Sequence, residues 1–500
     1  MTDIVKRFEP LFEPKSIAFI GASANLFKWG FQIPFNVIAF GYDGAIYPVN
    51  PRETELLHTR VYKSVGEIPD GPVDLAVVTV PARAVLDVIK ECAAAGVKAV
   101  VVVTAGFGEL GEEGIRMEAE MARIAHGNGM LLVGPNCMGV VSPHPRSLYC
   151  EMPPIKPKPG TIAMASQSGN VGATTMRLAA EHRLGISRCV STGNEAVLRI
   201  EDYIEYFGQD PRTNVITAYI EGVDDGRRFL DVARDVSSKK PVIVLKVGGT
   251  EAGERAAKSH TGALAGSRDV FRGACKQAGV IQVVDTEELF DVAAALAGQP
   301  LPRGNRIGVV TYGGGWGVLA ADACAEFGLD VVRLPDDVLA ELDSFLPSWW
   351  SRNNPVDLVA GLVERAYTRS IEILLKCAEI DGVMALGIGF GARRASIYRK
   401  QGEEHAAGLL PVELPYEEMA DRVIEYEAGV VQEVLDLMDR YQKPLILAAD
   451  SVTSAHYDQN EAIFALWDQG VQVYPTPRRA ARAFARLAER HEYLASIGVR

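Results

Sequence analysis

Thr161-Ile162-Ala163-Met164-Ala165-Ser166-Gln167-Ser168-Gly169-Asn170-Val171-Gly172 is an apolar run that ends in a small-residue turn and opens into a helix. Arg306-Ile307-Gly308-Val309-Val310-Thr311-Tyr312-Gly313-Gly314-Gly315-Trp316-Gly317 repeats the scheme. Each stretch predicts strand, turn and helix in that order. The first-turn amides of a helix lack intrahelical partners and the helix dipole favours negative charge, so both turns suit an anion such as phosphate. The same glycines also permit tight strand-to-helix packing with no ligand, and one turn alone does not separate the two readings.

Working outward, short apolar runs at 17–20, 45–49, 75–80, 100–104 and 130–133 alternate with helical stretches. Runs at 161–165, 215–220, 242–247 and 280–284 repeat the alternation, and 307–311 restarts it. That pattern predicts doubly wound parallel sheets of the α/β class. Prolines cluster across 143–159 and in Gln299-Pro300-Leu301-Pro302-Arg303-Gly304, dividing the chain into domains at 1–145, 158–298 and 304–478, with a helical tail at 479–500. Between 391 and 440 the pairs Arg393-Arg394, Glu403-Glu404 and Glu417-Glu418 precede amphipathic sequence at Val430, Val431, Val434 and Leu435. A loop excursion and one long surface helix without chemistry are expected there, since charge runs are usually solvated faces.

With 500 residues and 48% hydrophobic composition the chain suffices for about three domains. Its seven cysteines form no Cys-x-x-Cys pair, which argues against a disulfide framework or a zinc site and for reduced, buried thiols. No metal ligand set is expected. A formal charge of −13 repels phosphate backbones and acidic lipid, and no sizeable basic patch offsets it, so neither nucleic acid nor membrane is an expected partner. The start Met1-Thr2-Asp3-Ile4-Val5-Lys6-Arg7 lacks a signal-peptide pattern and no apolar run spans a membrane, which predicts a cytoplasmic chain.

Lys258-Ser259-His260-Thr261-Gly262-Ala263-Leu264-Ala265-Gly266 presents a histidine among small residues beyond the run 242–247. His260 is expected above the carboxyl edge of a parallel sheet, where such sheets bind ligands. A lone loop histidine commonly has no chemical role, but a neutral imidazole near pH 7 is also a nucleophile. The first turn, Gly21-Ala22-Ser23, follows a strand without forming Gly-x-Gly-x-x-Gly, and the second strand ends at Val49-Asn50-Pro51 where a nicotinamide ribose would need an acid. A dehydrogenase loses both supports. Strand ends at Val80-Pro81, Thr104-Ala105-Gly106 and Gly134-Pro135-Asn136-Cys137 converge on the same edge and suit a long, thin ligand such as coenzyme A.

Ile20-Gly21-Ala22-Ser23, Tyr47-Pro48-Val49-Asn50-Pro51, Gly134-Pro135-Asn136-Cys137, Ser166-Gln167-Ser168-Gly169-Asn170, Gly193-Asn194-Glu195-Ala196, Ser259-His260-Thr261-Gly262 and Asn354-Pro355-Val356-Asp357 occur in that order. Together they resemble the α subunit of NDP-forming (ADP-forming) acyl-CoA synthetases, relatives of succinyl-CoA synthetase. The resemblance implies a Rossmann-like CoA-binding domain followed by two flavodoxin-like ligase domains. It implies that Gly21, Ala22, Ser23, Val49, Asn50, Pro51, Val80, Pro81, Thr104, Ala105, Gly106 and Asn136 serve coenzyme A. It makes His260 the residue transiently phosphorylated and Glu221 its orienting acid; apart from the resemblance, Glu221 reads as a surface acid after a strand. Gln167, Ser168, Gly169 and Asn170 would hold the phosphoryl group, and Gly313, Gly314 and Gly315 a second phosphate.

Tyr312 and Trp316 depart from the smaller residues and proline expected in that second turn, and Phe27-Lys28-Trp29 is atypical beside the CoA pocket. No Walker A sequence or ATP-grasp-like segment occurs, so ADP or ATP with magnesium is expected on a partner, an ATP-grasp β subunit of a hetero-oligomer. Gly248, Gly249, Gly253, Gly262 and Gly266 would let the histidine loop swing between sites. The implied reaction is acyl-CoA + ADP + phosphate ⇌ carboxylic acid + CoA + ATP, with the acyl group unspecified. The alternatives are a CoA-binding regulatory module of a protein acetyltransferase system, which would carry an acetyltransferase domain and lack the histidine, and a nucleotide-sensing Rossmann protein. Retention of His260 with Glu221 argues against both.

Overall fold

The computed structural model describes residues 3–69, 71–248, 268–359, 365–409, 412, 414–457 and 459–499. The chain falls into two units, Met1–Ala293 and Ala294–Arg500. The first holds two large sheets and a short antiparallel pair, Glu55–Leu56 with Thr59–Arg60. In one, parallel strands lie in the order Ala45–Val49, Ser16–Ile20, Leu75–Val78, Ala99–Val102, Leu131–Val133. In the other, Ile281–Val283, Val242–Lys246, Val215–Ile220, Pro159–Ser166 and Ile186–Ser191 run parallel. Numbered along the chain within its own sheet, each set has the order 2-1-3-4-5.

Both faces of the first sheet are apolar, as helix-covered parallel sheets require. Ile17 and Phe19 point into a core shared with Ala163, Val190 and Ile216 of the second sheet, while Ala18 and Ile20 pack on the opposite face. The helix Asp3–Phe12 joins the shared core through Phe8 and Phe12, whose rings stack on Tyr206 at 4.7 and 5.0 Å. Such ring pairs add about 0.5–1.5 kcal/mol each beyond their burial.

The first proline-rich passage carries structure of its own: Gly139–Ser142 and Leu148–Glu151 form an antiparallel hairpin that extends the second sheet beside Ile186–Ser191. Pro143 and Pro145 occupy the hairpin's connection, where a missing N–H costs nothing, while Val140, Val141, Leu148 and Cys150 are buried. The strand Ile186–Ser191 also went unmarked, because Arg188 interrupts its apolar run. That guanidinium is 1% exposed and lies among Glu13, Asp210, Tyr206 and Ser142.

In the second unit, parallel strands lie in the order Asp330–Val331, Arg306–Thr311, Gly382–Leu386, Leu445–Ala448, Val473–Tyr474, again 2-1-3-4-5 once the short Val356–Asp357, which pairs with the end of Arg306–Thr311, is set aside. The passage 391–440 is a pair of packed helices, Gly391–Ala406 and Tyr416–Tyr441, rather than a loop and one helix. Its charges pair across the helices, Arg399 with Glu417 at 2.9 Å and Asp421 at 3.0 Å, and buried Glu427 accepts from the Gly391 amide at 2.8 Å. Residues 479–496 lie in the helix Pro477–Ser496, which buries Ala480, Ala481, Phe484 and Leu487.

Candidate functional site

In all three sheets the turn after the first strand stands at the topological switch point, where neighbouring connections leave on opposite faces and open a crevice. In the first sheet that turn is tightly built. Gly21 and Ala22 donate to the Val49 carbonyl, Asn50 Nδ2 donates to the Ala22 carbonyl at 2.6 Å, and Ser23 N–H donates to the Gly30 carbonyl. Gly21 has φ 94°, and a Cβ on Gly30 would stand 2.1 Å from the Gly21 oxygen, so only glycine lets the following helix approach this turn.

In the second sheet Ser168 caps the helix Gly169–Glu181, its side chain accepting from Val171 N–H at 3.4 Å. The amides of Gly169 and Asn170 precede any intrahelical acceptor. Gln167 ties this turn to the neighbouring strand end: its Oε1 accepts from Glu221 N–H at 2.5 Å and Gly222 N–H at 3.1 Å, and its Nε2 donates to the Gly222 carbonyl. Glu221 is 6% exposed, so it is no surface acid. Lys246 Nζ donates to the Glu221 carbonyl at 2.7 Å, beside the point where the segment bearing His260 departs. His260 itself, with Gly249, Gly253, Gly262 and Gly266, lies outside the described residues.

A cleft of about 1250 Å³ joins the two turns. Its lining brings together Gly21, Ser23, Val49, Asn50, Pro51, Val80, Pro81, Thr104, Ala105, Asn136, Gln167, Ser168, Gly169 and Asn170. Two expected residues stay off the wall: Ala22 is buried with its carbonyl committed to Asn50, and Gly106 N–H donates to Glu109. The lining also holds Lys28, Arg52, Lys63 and Arg83 against a single carboxylate, Glu91, so this acidic chain presents a cationic cleft. Drug-sized ligands fill roughly 300–1,000 Å³, and the larger space suits an extended ligand.

Single-sequence reading set Lys28 beside the CoA pocket but did not assign Arg52, Lys63 or Arg83, nor Met138, Met152, Gly193 and Asn194, which also line the cleft. The motifs around 134–137 and 193–196 were visible as motifs, and their role is mutual. Asn194 and Ala196 donate to the Pro135 and Gly134 carbonyls, and Asn136 Nδ2 donates to Asn194 Oδ1 at 3.2 Å. Glu195, at φ 57°, accepts from Thr192 at 2.7 Å and from Gln167. Burial pushes its carboxyl up to about 8, so it holds its proton at neutral pH. Cys137 also meets the cleft, but burial pushes its thiol up to about 12, which rules out a standing thiolate.

The second unit's turn follows the same plan. Gly313 begins the helix Gly314–Glu326, and Thr311 Oγ1 donates to the Gly313 carbonyl at 2.9 Å, as Ser166 Oγ does to Ser168. Gly314 lies against Asp357, whose carboxylate would be 2.8 Å from an added Cβ, and Gly315 follows in the first helical turn. Tyr312 stacks on Tyr367 at 4.6 Å and meets Phe390 edge-on, and Trp316 packs against the unit's core, so both bulky residues have packing roles.

These features define a CoA-binding domain joined to succinyl-CoA ligase-like sheets. Family models match a CoA binding domain over residues 15–143, a succinyl-CoA ligase like flavodoxin domain over 159–296 and a Ligase-CoA domain over 307–390. The chain is 41% identical over 488 residues to the acetate–CoA ligase (ADP-forming) I subunit alpha of Pyrococcus furiosus, with 96% of each covered. It is 39% identical over 378 residues to acetate–CoA ligase (ADP-forming) I of Archaeoglobus fulgidus, covering 76% of this chain and 54% of that one. The dinucleotide forming acetyl-coenzyme A synthetase 1 of Ca. Korarchaeum cryptofilum, solved with phosphate and ADP, is 35% identical, covers 98% of both chains and superposes with a TM-score of 0.82. The chain belongs to the α subunits of the ADP-forming acyl-CoA ligases, a family of acid–thiol ligases.

Proposed function

We propose that this chain is the CoA-handling subunit of an enzyme that interconverts acyl-CoA, ADP and phosphate with carboxylic acid, CoA and ATP. The observation that carries the reading is the single cleft joining the first sheet's cationic edge to the turn at 167–170. Coenzyme A lies along the first sheet with its phosphates near Arg52, Lys63 and Arg83, and its thiol end reaches that turn. A phosphate oxygen attacks the thioester carbonyl, the C–S bond breaks and CoA thiolate leaves. A ring nitrogen of His260 then attacks phosphorus, the bond to the acyl oxygen breaks and carboxylate departs. Positioning and charge neutralisation dominate such transfers, and the first-turn amides at 169–170 supply both.

Glu221 steadies the imidazolium and the phosphorylated ring, and the loop carries the phosphoryl group to the nucleotide. Nucleotide and magnesium belong to an ATP-grasp β partner, so the working enzyme is a cytoplasmic hetero-oligomer. The family's subunit naming and the longer Archaeoglobus relative support a partner, either separate or fused. The division at 1–145, 158–298 and 304–478, with the segment 479–500 at the end, is the functional layout of this reading. Gly313, Gly314 and Gly315 form its second phosphate site. Calorimetry on the isolated chain tests it: CoA binds, and ADP or ATP does not. Synthesis of ATP by this chain alone from acyl-CoA, ADP and phosphate would falsify the partner assignment.

A further inference from the structure

Asn194 lines the cleft, and its side chain is hydrogen-bonded at both ends of the carboxamide. Nδ2 donates to Glu109 Oε2 at 2.6 Å and to Glu118 Oε1 at 2.7 Å. Oδ1 accepts from Asn136 Nδ2 at 3.2 Å, and the backbone N–H donates to the Pro135 carbonyl. Both acids belong to the connection between the strands Ala99–Val102 and Leu131–Val133: Glu109 lies in the short helical turn Gly108–Leu110 and Glu118 in the helix Glu112–Gly127. Both are themselves held, Glu109 by the Gly106 N–H at 2.5 Å and Glu118 by the Gly108 N–H at 3.0 Å. A Cβ on Gly108 would stand 2.6 Å from Glu118 Oε2, and one on Gly193 would stand 2.2 Å from the Pro135 oxygen, so glycine permits both approaches. Burial pulls both carboxyls up. In Glu118 it prevails, whereas in Glu109 backbone N–H groups, that of Gly106 foremost, and Asn194 outweigh it and hold the acid below its ordinary range.

These contacts decide which way round two amides stand. A carboxylate accepts and does not donate, so two acids on one side of Asn194 fix that side as nitrogen and leave its oxygen toward Asn136. That oxygen takes the Asn136 nitrogen, which turns Asn136 Oδ1 away from Asn194. Asn136 lines the cleft just beyond the edge strand Leu131–Val133, at the opposite edge of the sheet from Ala45–Val49 and the cations Arg52 and Lys63 that follow it. We infer that Asn194 is a positioning residue for coenzyme A: pinned by Glu109 and Glu118, it holds Asn136 with its oxygen toward the cleft, where that oxygen accepts from an amide N–H of the pantetheine arm. The inference rests on the proposed function, which lays CoA along this sheet with its phosphates at the cationic edge and its thiol end at the turn 167–170. The pantetheine arm carries amide N–H groups and no charge, so a directed acceptor recognises it where a cation does not.

Calorimetric titration of the full chain with CoA and with adenosine 3′,5′-bisphosphate, which lacks the pantetheine arm, tests the role. Asn194→Asp replaces the donor by an acceptor facing two acids, and Asn194→Ala removes the carboxamide without adding charge. Both should weaken CoA by about tenfold, the scale of one hydrogen bond left unmade, and leave adenosine 3′,5′-bisphosphate within about twofold of the unaltered chain. Adding Glu118→Gln to Asn194→Asp returns an N–H to the contact, so the pair should bind CoA tighter than Asn194→Asp alone, a coupling that general destabilisation does not produce. Unchanged CoA affinity in Asn194→Ala, an equal loss for both ligands, or a pair no tighter than Asn194→Asp overturns the positioning role while leaving the CoA reading intact. Failure of the unaltered chain to bind CoA overturns the proposed function and the positioning role with it.

Discussion

Gln167 links the turn at 167–170 to two acids, because its amide bonds at once to the backbone of Glu221 and Gly222 and to Glu195. The two acids then have separable signatures. Glu221→Gln should leave the fold intact and lower turnover roughly tenfold or more, the scale for a positioned catalytic group. Unchanged single-turnover phosphorylation of that variant would pass the orienting role to another group. Glu195 carries a pH signature of its own. Its carboxyl moves from 4.5 up to about 8 on folding, so between those values the folded chain binds a proton that the unfolded chain has released. Stability contributed at low pH is therefore lost as pH rises through this window, and the loss is complete above about 8. Glu195→Gln should flatten that decline in the first unit's denaturant midpoint, and an unaltered slope would assign the proton elsewhere.

Among the elements, the first strand of each sheet with its turn was fully legible, because an apolar run, small residues and a helix start follow one another within a dozen positions. Glu221 was also placed correctly at a strand end, although its burial was not visible. The hairpin Gly139–Ser142 and Leu148–Glu151 was hidden by prolines that serve its connection, and Ile186–Ser191 by a buried arginine whose partners are more than a hundred residues away in part. The cationic rim escaped for a similar reason: Arg52, Lys63 and Arg83 are separate in sequence and meet only when the loops assemble. The helix Trp29–Ala39 offers a test at this scale. In Gly30→Ala the new methyl meets the Gly21 carbonyl, so helix and turn must part, at a cost of about 1–3 kcal/mol typical of overpacking. CoA affinity should fall in parallel, and retention of wild-type affinity would place CoA away from this turn.

For the whole molecule, a net charge of −13 coexists with a cleft lined by lysine and arginine, so this cleft stands out as a cationic site on an acidic chain. Burial of all seven free cysteines likewise leaves the chemistry to nitrogen and oxygen groups. Among the described residues no helix is long and apolar enough to cross a membrane. One architecture is used three times, and in each copy the turn after the first strand opens a helix whose amides face the carboxyl edge. The account turns on a phosphoryl group that leaves such a turn on His260. The decisive measurement is labelling of this chain, purified with its partner, by acyl-CoA and radioactive phosphate without nucleotide. An acid-labile, base-stable label on this chain, lost in His260→Ala and discharged by ADP, is the predicted result; label that persists in His260→Ala would contradict the account.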